Sequence, residues 1–444
     1  MADTSLEGSF EYLEALYRRP ILSQPEAGLR RISYLLGRLD NPHTAYKSVH
    51  VTGTCGKGST TTMIGSILQS SGYRTGLFRS PHLETYRERI AVDGASIDES
   101  AWLAAFDTVR PIADEMETGS NEGYHLGRPS LFEFIWAMGA LHFAKVGVDF
   151  AVVEVGVGGR LSPTNVLQPE VSVVTNVSLD HTNILGPTVE DIAREKSQVI
   201  KPGNSATTAA TQPHVLEIIR QRTAVTGSEL WIVGKDVSHK TRVHDLQGEA
   251  FDVRSPQRTH SDLTIGLLGQ HQVLNAATAV SVMDLLTSRG FEVPGSAVRN
   301  GLAGTQFPGR FEIVSQDPLI ILDGARNVAS AAVLRDTLDD LFPGRSMTLV
   351  IGVLGDKDAF GIVDVLAPHA RSAIVTAPPW EGRVGDLSRL KNALRRHLEA
   401  VTFEPDPATA LNSAIRDHTP GDLIVVTGSL YLVAAVRHLL KVEE

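Results

Sequence analysis

Residues 51 to 60 read Val-Thr-Gly-Thr-Cys-Gly-Lys-Gly-Ser-Thr, and they constrain what this chain can fold into more than any other stretch. His50-Val51 just before them is the end of a short β-branched strand. Thr61 to Ser70 just after them reads as a helix, with Met63, Ile64, Ile67 and Leu68 as its apolar positions. A strand that turns through glycines into a helix gathers successive backbone N–H groups and the positive end of a helix dipole around one point, which is a cradle for phosphate. Gly53, Thr54, Cys55, Gly56, Lys57, Gly58, Ser59 and Thr60 are therefore nucleotide-binding candidates. Lys57 is placed to reach the outer phosphates, and the Ser59 or Thr60 hydroxyl a magnesium ion. The common P-loop is longer between its first glycine and its Gly-Lys pair. Here only Thr54 and Cys55 separate Gly53 from Gly56, which points to a particular branch of ATP users. The alternative is a glycine turn of the kind that opens many α/β helices.

A chain of 444 residues exceeds one compact core, so two domains are expected, divided here at residues 305 and 306. Charged residues make up 21% and hydrophobic ones 42%, the composition of an ordinary water-soluble globular protein. A formal net charge of −10 argues against a broad nucleic-acid or anionic-membrane surface, although local cations can still hold a small anionic substrate. The single cysteine, Cys55, excludes an internal disulfide and suits a reducing cytoplasm. The first residues, Met-Ala-Asp-Thr-Ser-Leu-Glu, carry no basic and apolar leader, and no apolar run approaches membrane-spanning length. Glu115 to Gly127 is the nearest to a flexible segment.

Taken in order, residues 9 to 39 have helical spacing around a proline-containing break. Arg74 to Phe78 is a strand ended by Arg79-Ser-Pro-His82, where Ser80 either turns its hydroxyl to a metal or only makes a turn. Arg87 and Arg89 are either a charged surface or anion contacts. Leu131 to Val146 is a buried helix that delivers the chain into Val148 to Val155, a central parallel strand apolar on both faces. Glu154 emerges at its carboxyl end, where open α/β sheets bind ligands, and is a metal-ligand candidate; the competing reading is a carboxylate paired with a lysine. The glycines of Gly156-Val-Gly-Gly-Arg160 allow close backbone approach. Val171 to Val177 is a further buried strand with Asp180 and His181 at its exit, and imidazole is a metal ligand. Thr188 caps a helix on which Ile192, Lys196 and Val199 share a face, so Lys196 points inward. A buried ammonium is paired with a carboxylate or is neutralised, and one neutralising route is reaction with carbon dioxide to a carbamate. Residues 267 to 279 open another helix that carries Asn275. Beyond Phe307-Pro-Gly-Arg310, βα alternation with strands at 319–322, 348–351, 373–376 and 423–426 describes a second, smaller doubly wound sheet. Asp323, Asp356 to Asp358, Thr376 and Thr427-Gly-Ser429 sit at its strand exits, so an active site shared by two domains that close on it is expected.

Across roughly residues 25 to 435 these motifs, in this order, resemble the folylpolyglutamate synthase and dihydrofolate synthase family, a branch of the Mur ligases. The matching stretches are Gly53 to Ser59, Ser80-Pro-His-Leu83 with Glu88-Arg-Ile90, Glu154 to Leu161 with Thr164-Asn165, and Leu179-Asp-His181 with Leu185-Gly186. They continue through Ile192-Ala193 with Glu195-Lys196, Gly269-Gln-His-Gln272 with Asn275-Ala-Ala277, and Pro308-Gly-Arg310. The last are Leu322 to Ala325 with Asn327, Asp356-Lys-Asp358 and Thr427 to Tyr431. The resemblance implies a P-loop ATPase-type, mostly parallel sheet domain followed by a Rossmann-like glutamate-ligase domain. It implies ATP-dependent amide ligation through an acyl phosphate, with Lys57, His181 and Lys196 as the catalytic set. The loop from Gly53 to Thr60, together with Asn275, Arg310 and Asp323, would hold ATP. Ser59, Ser80, Glu154 and His181 would serve two magnesium sites, and Lys196 would be carbamylated.

The chain departs from the family pattern at Cys55, where the family has Asn, at Ser162-Pro163 in place of Asp-Ala, and at Ser197-Gln198 in place of Ala-Gly. Arg326 replaces the histidine of Asp-Gly-Ala-His-Asn. Ser130, Leu131, Leu161, Ser162, Pro163, Arg326 and Ser429 are the expected contacts to folate or pteroate and to glutamate, and a planar guanidinium suits a carboxylate. Three functions stay open at this point. One is glutamate addition to a folate or to dihydropteroate by a cytoplasmic monomer, without nucleic-acid or membrane partners. The second is a paralogue joining a different carboxylate and amine, and the third a nucleotide-binding protein without catalysis.

Overall fold

In the computed structural model, residues 5–18, 27–118, 126–380 and 384–442 are described. The expected break near residue 20 and most of the expected flexible segment between 115 and 127 lie outside them. The chain divides into two compact units. The first comprises Met1–Lys240, Phe251–Thr264 and Val273–Thr305; the second comprises Thr241–Ala250, Ile265–Gln272 and Gln306–Glu444.

The strands of the first unit's large sheet are β1 (Lys47–Thr52), β2 (Thr75–Phe78), β3 (Ile90–Val92), β4 (Ala95–Ser96), β5 (Phe150–Glu154), β6 (Val171–Val174), β7 (Ser205–Thr208) and β8 (Glu229–Ile232). Their spatial order is β4-β3-β2-β5-β1-β6-β7-β8, parallel from β2 through β8. Phe150, Ala151, Val152, Val153 and Glu154 are all buried, because helices cover both faces of this middle strand. One layer of that cover is the helix Leu131–Val146, stopped by Gly147 in the left-handed conformation (φ 68°). Its Phe134, Trp136 and Phe143 join Trp102 and Phe106 of the helix Glu99–Thr118 in a fully buried aromatic core. Two shorter helices, Leu6–Arg18 and Ala27–Gly37, contribute Leu13, Ile32, Leu35 and Leu36 to it.

Strand order decides where the chemistry lies. The four neighbours β2, β5, β1 and β6 all run the same way, so they end side by side, about 5 Å apart. Their exits deliver, in turn, Arg79-Ser80, Glu154, the Gly53–Gly56 loop, and the segment from Thr175 to His181. The strand expected up to Val177 stops at Val174 because the next residues bond to the glycine loop instead. Asn176 O accepts from Thr54 N at 3.0 Å, and the Asn176 side-chain oxygen accepts from Cys55 N at 2.9 Å. The helix after the loop begins at Lys57, earlier than its apolar periodicity indicated, with Gly56 as its cap.

A three-stranded sheet, β9 (Ser238–Asp245), β10 (Gly248–Arg254) and β11 (Thr259–Ile265), follows. The helix Gln270–Ser288 comes next. In the second unit the sheet order is β12-β13-β17-β14-β15-β16. These strands are β12 (Glu312–Gln316), β13 (Leu319–Leu322), β14 (Met347–Ile351), β15 (Ala370–Val375), β16 (Ala400–Phe403) and β17 (Leu423–Thr427). All but the β12–β13 pair are parallel. Leu349, Ile351, Val375 and Val425 form the centre of its core with Leu334, Ile362 and Leu394 from the covering helices. No helix among the described residues is long and apolar enough to cross a membrane.

Candidate active site

The glycine loop is built from constraints on both sides of it. Gly56 has φ 79°, and a Cβ there would lie 2.4 Å from the Asn275 side-chain oxygen, so only glycine fits. Asn275 itself is buried against this turn. Thr175 Oγ1 donates to Cys55 O at 2.6 Å, and Thr54 Oγ1 donates to Ser178 O at 3.1 Å. Ser59 and Thr60 follow on the first helical turn; the Thr60 hydroxyl is buried without a hydrogen-bond partner among the described residues.

Two lysines meet at this loop. Lys57 Nζ donates to Gly53 O at 3.0 Å and to Thr54 O at 3.2 Å. Lys196 Nζ donates to the same Gly53 oxygen at 2.8 Å, although it arrives from the helix Val189–Ser197. That helix starts at Thr188, whose hydroxyl accepts from Asp191 N, and buries Ile192, Ala193 and Lys196. The Lys196 residue is 4% exposed. Burial, reinforced by the nearby Lys57 charge, brings its pKa down to about 7, with Asp180 and Cys55 pulling the other way. Gly159 explains how the helix comes so close: a Cβ there would lie 2.3 Å from Glu195 O and 2.8 Å from the Lys196 Cα. Arg160 then donates to the Glu195 carboxylate at 2.8 Å.

Glu154 is 4% exposed, and its Oε2 accepts from Ser80 N at 3.1 Å. The backbone of Ser80 is thus one partner of the Glu154 carboxylate. Arg79 is half-buried, and its desolvation lowers its pKa against the pull of the Glu154 and Glu88 charges. His181 has a left-handed backbone (φ 50°) and heads the short helix Thr182–Leu185. Its Nε2 lies 3.9 Å from Asp180 Oδ1, with the side chain 31% exposed. Among the described residues no three histidine, cysteine, aspartate or glutamate side chains form a metal cluster. The Glu154 carboxylate and the Ser59 and Ser80 hydroxyls are hard oxygen donors of the kind that magnesium takes together with phosphates and water, and His181 offers a nitrogen.

Other expected contacts have different surroundings. Arg87 and Arg89 are structural: Arg87 Nε donates to Ile97 O at 2.7 Å, and the buried Arg89 Nε donates to His82 Nδ1 at 3.0 Å. Burial, then the Arg89 charge, holds the His82 pKa at about 3. Ser162 is buried, and its hydroxyl is shared with Thr164 Oγ1 at 2.8 Å, which in turn meets His50 Nε2 at 2.9 Å. Pro163 opens the short turn Pro163–Val166, beside a half-buried Leu161. Ser130 is the N-cap of the helix beginning at Leu131, accepting from Glu133 N at 3.2 Å. Glu133 also takes two hydrogen bonds, both 3.0 Å, from Arg31.

In the second unit, Asp323 leaves β13 and accepts from Phe311 N at 2.9 Å and Ala325 N at 2.8 Å, with burial raising its pKa. Those bonds fix the turn that carries Arg310, whose guanidinium lies 4.8 Å from the Phe307 ring centre. Arg326 N donates to Ser330 Oγ at 3.0 Å, while its half-buried guanidinium makes no hydrogen bond or ion pair with the described residues. Ser429 is buried beyond β17, accepting from Tyr431 N at 3.2 Å. Two functional candidates received no role from the sequence: Asp180, which acts on Lys196, and Lys357 beyond β14, whose side chain is 8% exposed and 3.8 Å from Asp356. The signal for both was their place at strand exits.

Residues 134–283 match the Mur ligase middle domain, and residues 309–430 match the Mur ligase glutamate ligase domain. The folylpolyglutamate synthase of Lacticaseibacillus casei is 34% identical over 413 residues, covering 93% of this chain and 94% of its own. The dihydrofolate synthase/folylpolyglutamate synthase of Escherichia coli is 32% identical, covering 99% of this chain and 96% of its own. Among solved structures, Mycobacterium tuberculosis folylpolyglutamate synthase complexed with ADP superposes with a TM-score of 0.89 at 30% identity, covering 99% of each chain. An Escherichia coli enzyme in complex with DHPP and ADP superposes with a TM-score of 0.86 at 30% identity, covering 100% of this chain and 99% of that one.

Proposed function

Because the chain belongs to the folylpolyglutamate synthase and dihydrofolate synthase family of Mur ligases, we propose that it is an ATP-dependent ligase that joins L-glutamate to a folate, to dihydropteroate, or to both. The carboxylate of the pterin substrate attacks the γ-phosphorus of ATP, giving an acyl phosphate and ADP. The glutamate amino group then attacks the acyl carbon; phosphate leaves, the nitrogen loses a proton, and an amide remains. One observation carries this reading: the Nζ groups of two lysines, from different elements, converge on the Gly53 carbonyl at 3.0 and 2.8 Å. A protein that only holds a nucleotide has no need of the second, costly, buried one.

Lys57 neutralises charge that develops on the transferring phosphoryl group, and the loop N–H groups orient it. Ser59, Ser80, Glu154 and His181 are the residues that would hold magnesium, which supplies charge neutralisation between phosphate oxygens when bound. Lys196 is a candidate for carbamylation: a pKa of about 7 leaves much of its amine neutral, and only the neutral amine adds to carbon dioxide. In the second unit, Arg310 and Asp323 serve ATP, and Arg326 with Ser429 serves the carboxylates of the incoming glutamate. Ser130, Leu131, Leu161 and Pro163 line the pterin side, where Ser162 contributes loop shape because its hydroxyl is committed to Thr164. The single cysteine suits a reducing cytoplasm.

The test is phosphate release from MgATP with dihydropteroate, tetrahydrofolate or a glutamylated folate, each with and without L-glutamate. Release that needs both a pterin and glutamate, with a product heavier by one glutamyl residue, is the expected result. ATP binding without release on any pterin would turn attention to Arg326 and Ser162-Pro163 as marks of a different substrate.

A further inference from the structure

Glu88 lies on a short helical turn, Tyr86–Arg89, remote in sequence from the glycine loop, and had no role in the sequence reading. Its carboxylate accepts from three successive backbone N–H groups: Leu83 at 2.8 Å, Glu84 at 2.7 Å and Thr85 at 2.6 Å. The next residue reinforces the hold, since Arg89 O accepts from Arg79 N at 3.0 Å while Arg89 Nε reaches His82. The loop from Arg79 to Thr85 is therefore held by two consecutive residues: the Arg89 carbonyl at its start, the Arg89 side chain at His82, and the Glu88 carboxylate at its end. Ser80, inside that loop, donates its N–H to Glu154 Oε2 at 3.1 Å.

We propose that Glu88 is a positioning residue for phosphoryl transfer: by fixing three main-chain N–H groups it sets the loop that aims Ser80 at Glu154. This rests on the reading of Ser80 and Glu154 as metal-facing groups. An anion is required for the task, because a single carboxylate offers enough lone pairs for three converging donors. Glutamine at this position keeps one acceptor oxygen but turns an NH₂ toward a backbone N–H. Alanine leaves all three donors to water.

The test compares wild type with Glu88→Gln and Glu88→Ala. Hydrogen exchange by mass spectrometry on peptides spanning residues 80–88 is expected to quicken at least tenfold in Glu88→Ala, with Glu88→Gln between. Titration of Mg²⁺ into protein with a non-hydrolysable ATP analogue is expected to show half-saturation at tenfold or more higher Mg²⁺. In the ligation assay kcat is expected to fall by a similar factor, with the KM for L-glutamate unchanged. If the peptides exchange faster while Mg²⁺ half-saturation and kcat stay as in wild type, the loop is not what positions the site and the proposal is overturned. Unchanged exchange overturns it as well. Should Glu88→Ala fail to fold, Glu88→Gln carries the same comparison. Lack of ligation by wild type would count against the proposed reaction alone, since exchange and Mg²⁺-dependent nucleotide binding do not require turnover.

Discussion

Replacing Lys196 with methionine separates the cost of this lysine from its use. The side chain is enclosed, and its pKa falls from the ordinary 10.5 to about 7, chiefly through burial. Between those two values the unfolded chain holds a proton that the folded one has released, so stability rises with pH. Below about pH 7 both states are protonated and the full penalty persists. One pH unit of differential protonation is worth about 1.4 kcal/mol, so the whole shift corresponds to at most about 5 kcal/mol. Lys196→Met has no such slope. The unfolding free energy of the variant minus that of wild type should therefore fall by about 2 to 3 kcal/mol from pH 7.5 to 9.5. Urea denaturation of both proteins in carbon-dioxide-free buffer measures it, and other titrating groups cancel because they are common to both. The lost bond to Gly53 O shifts the difference by a constant and leaves the slope alone. A difference that stays flat within about 0.5 kcal/mol over that range would refute the claim that Lys196 is held as a desolvated amine. The variant should be inactive throughout; Lys196→Ala should be partly rescued by short carboxylates if the working form is a carbamate.

Lys57→Ala should abolish ATP turnover with an unchanged circular dichroism spectrum, and near-normal turnover would remove the glycine loop from the mechanism. Cys55 is the single cysteine and is half-buried in that loop. Maleimide should therefore label it alone, block nucleotide binding, and be slowed by MgATP; complete labelling with intact binding would count against the loop assignment. Arg326→Ala should raise the KM for L-glutamate at least tenfold while the KM for ATP holds, and an unchanged glutamate KM would release Arg326 from substrate recognition. Arg31→Met strands the Glu133 carboxylate, whose side chain is 2% exposed, and should cost about 3 to 5 kcal/mol in urea denaturation. Adding Glu133→Gln should recover part of that loss, because the amide neutralises the stranded charge and still accepts from Ser130 N; equal values for single and double variants would show the pair is not coupled.

The parts of this protein that its sequence announced are those where local chemistry and global position agree. The glycine loop is legible because strand, glycines, lysine and hydroxyls fall together, and Glu154 because an acid interrupts an otherwise apolar strand that had to be central. Lys196 was readable as inward-facing from the spacing of Ile192 and Val199, and its burial bears that out. What escaped was anything decided by partners far along the chain. The convergence of Lys57 and Lys196 on one carbonyl brings Lys196 to Gly53, 143 residues earlier in the chain, and no periodicity encodes it. The bond from the Ser162 hydroxyl to Thr164, which in turn meets His50 on β1, could not be read from position. Arg87 and Arg89 looked like surface charge or anion contacts because their acceptors, Ile97 O and His82, come from elements that pack only in three dimensions. The three-stranded sheet was missed although Phe251 with Val253, and Leu263 with Ile265, carry its period-two alternation. Its other face is polar enough to read as loop. Three-dimensional partners thus decide how several polar residues of the candidate site are held. That is the reason the sharpest test of this site is at Glu88 and Lys196 as much as at Lys57.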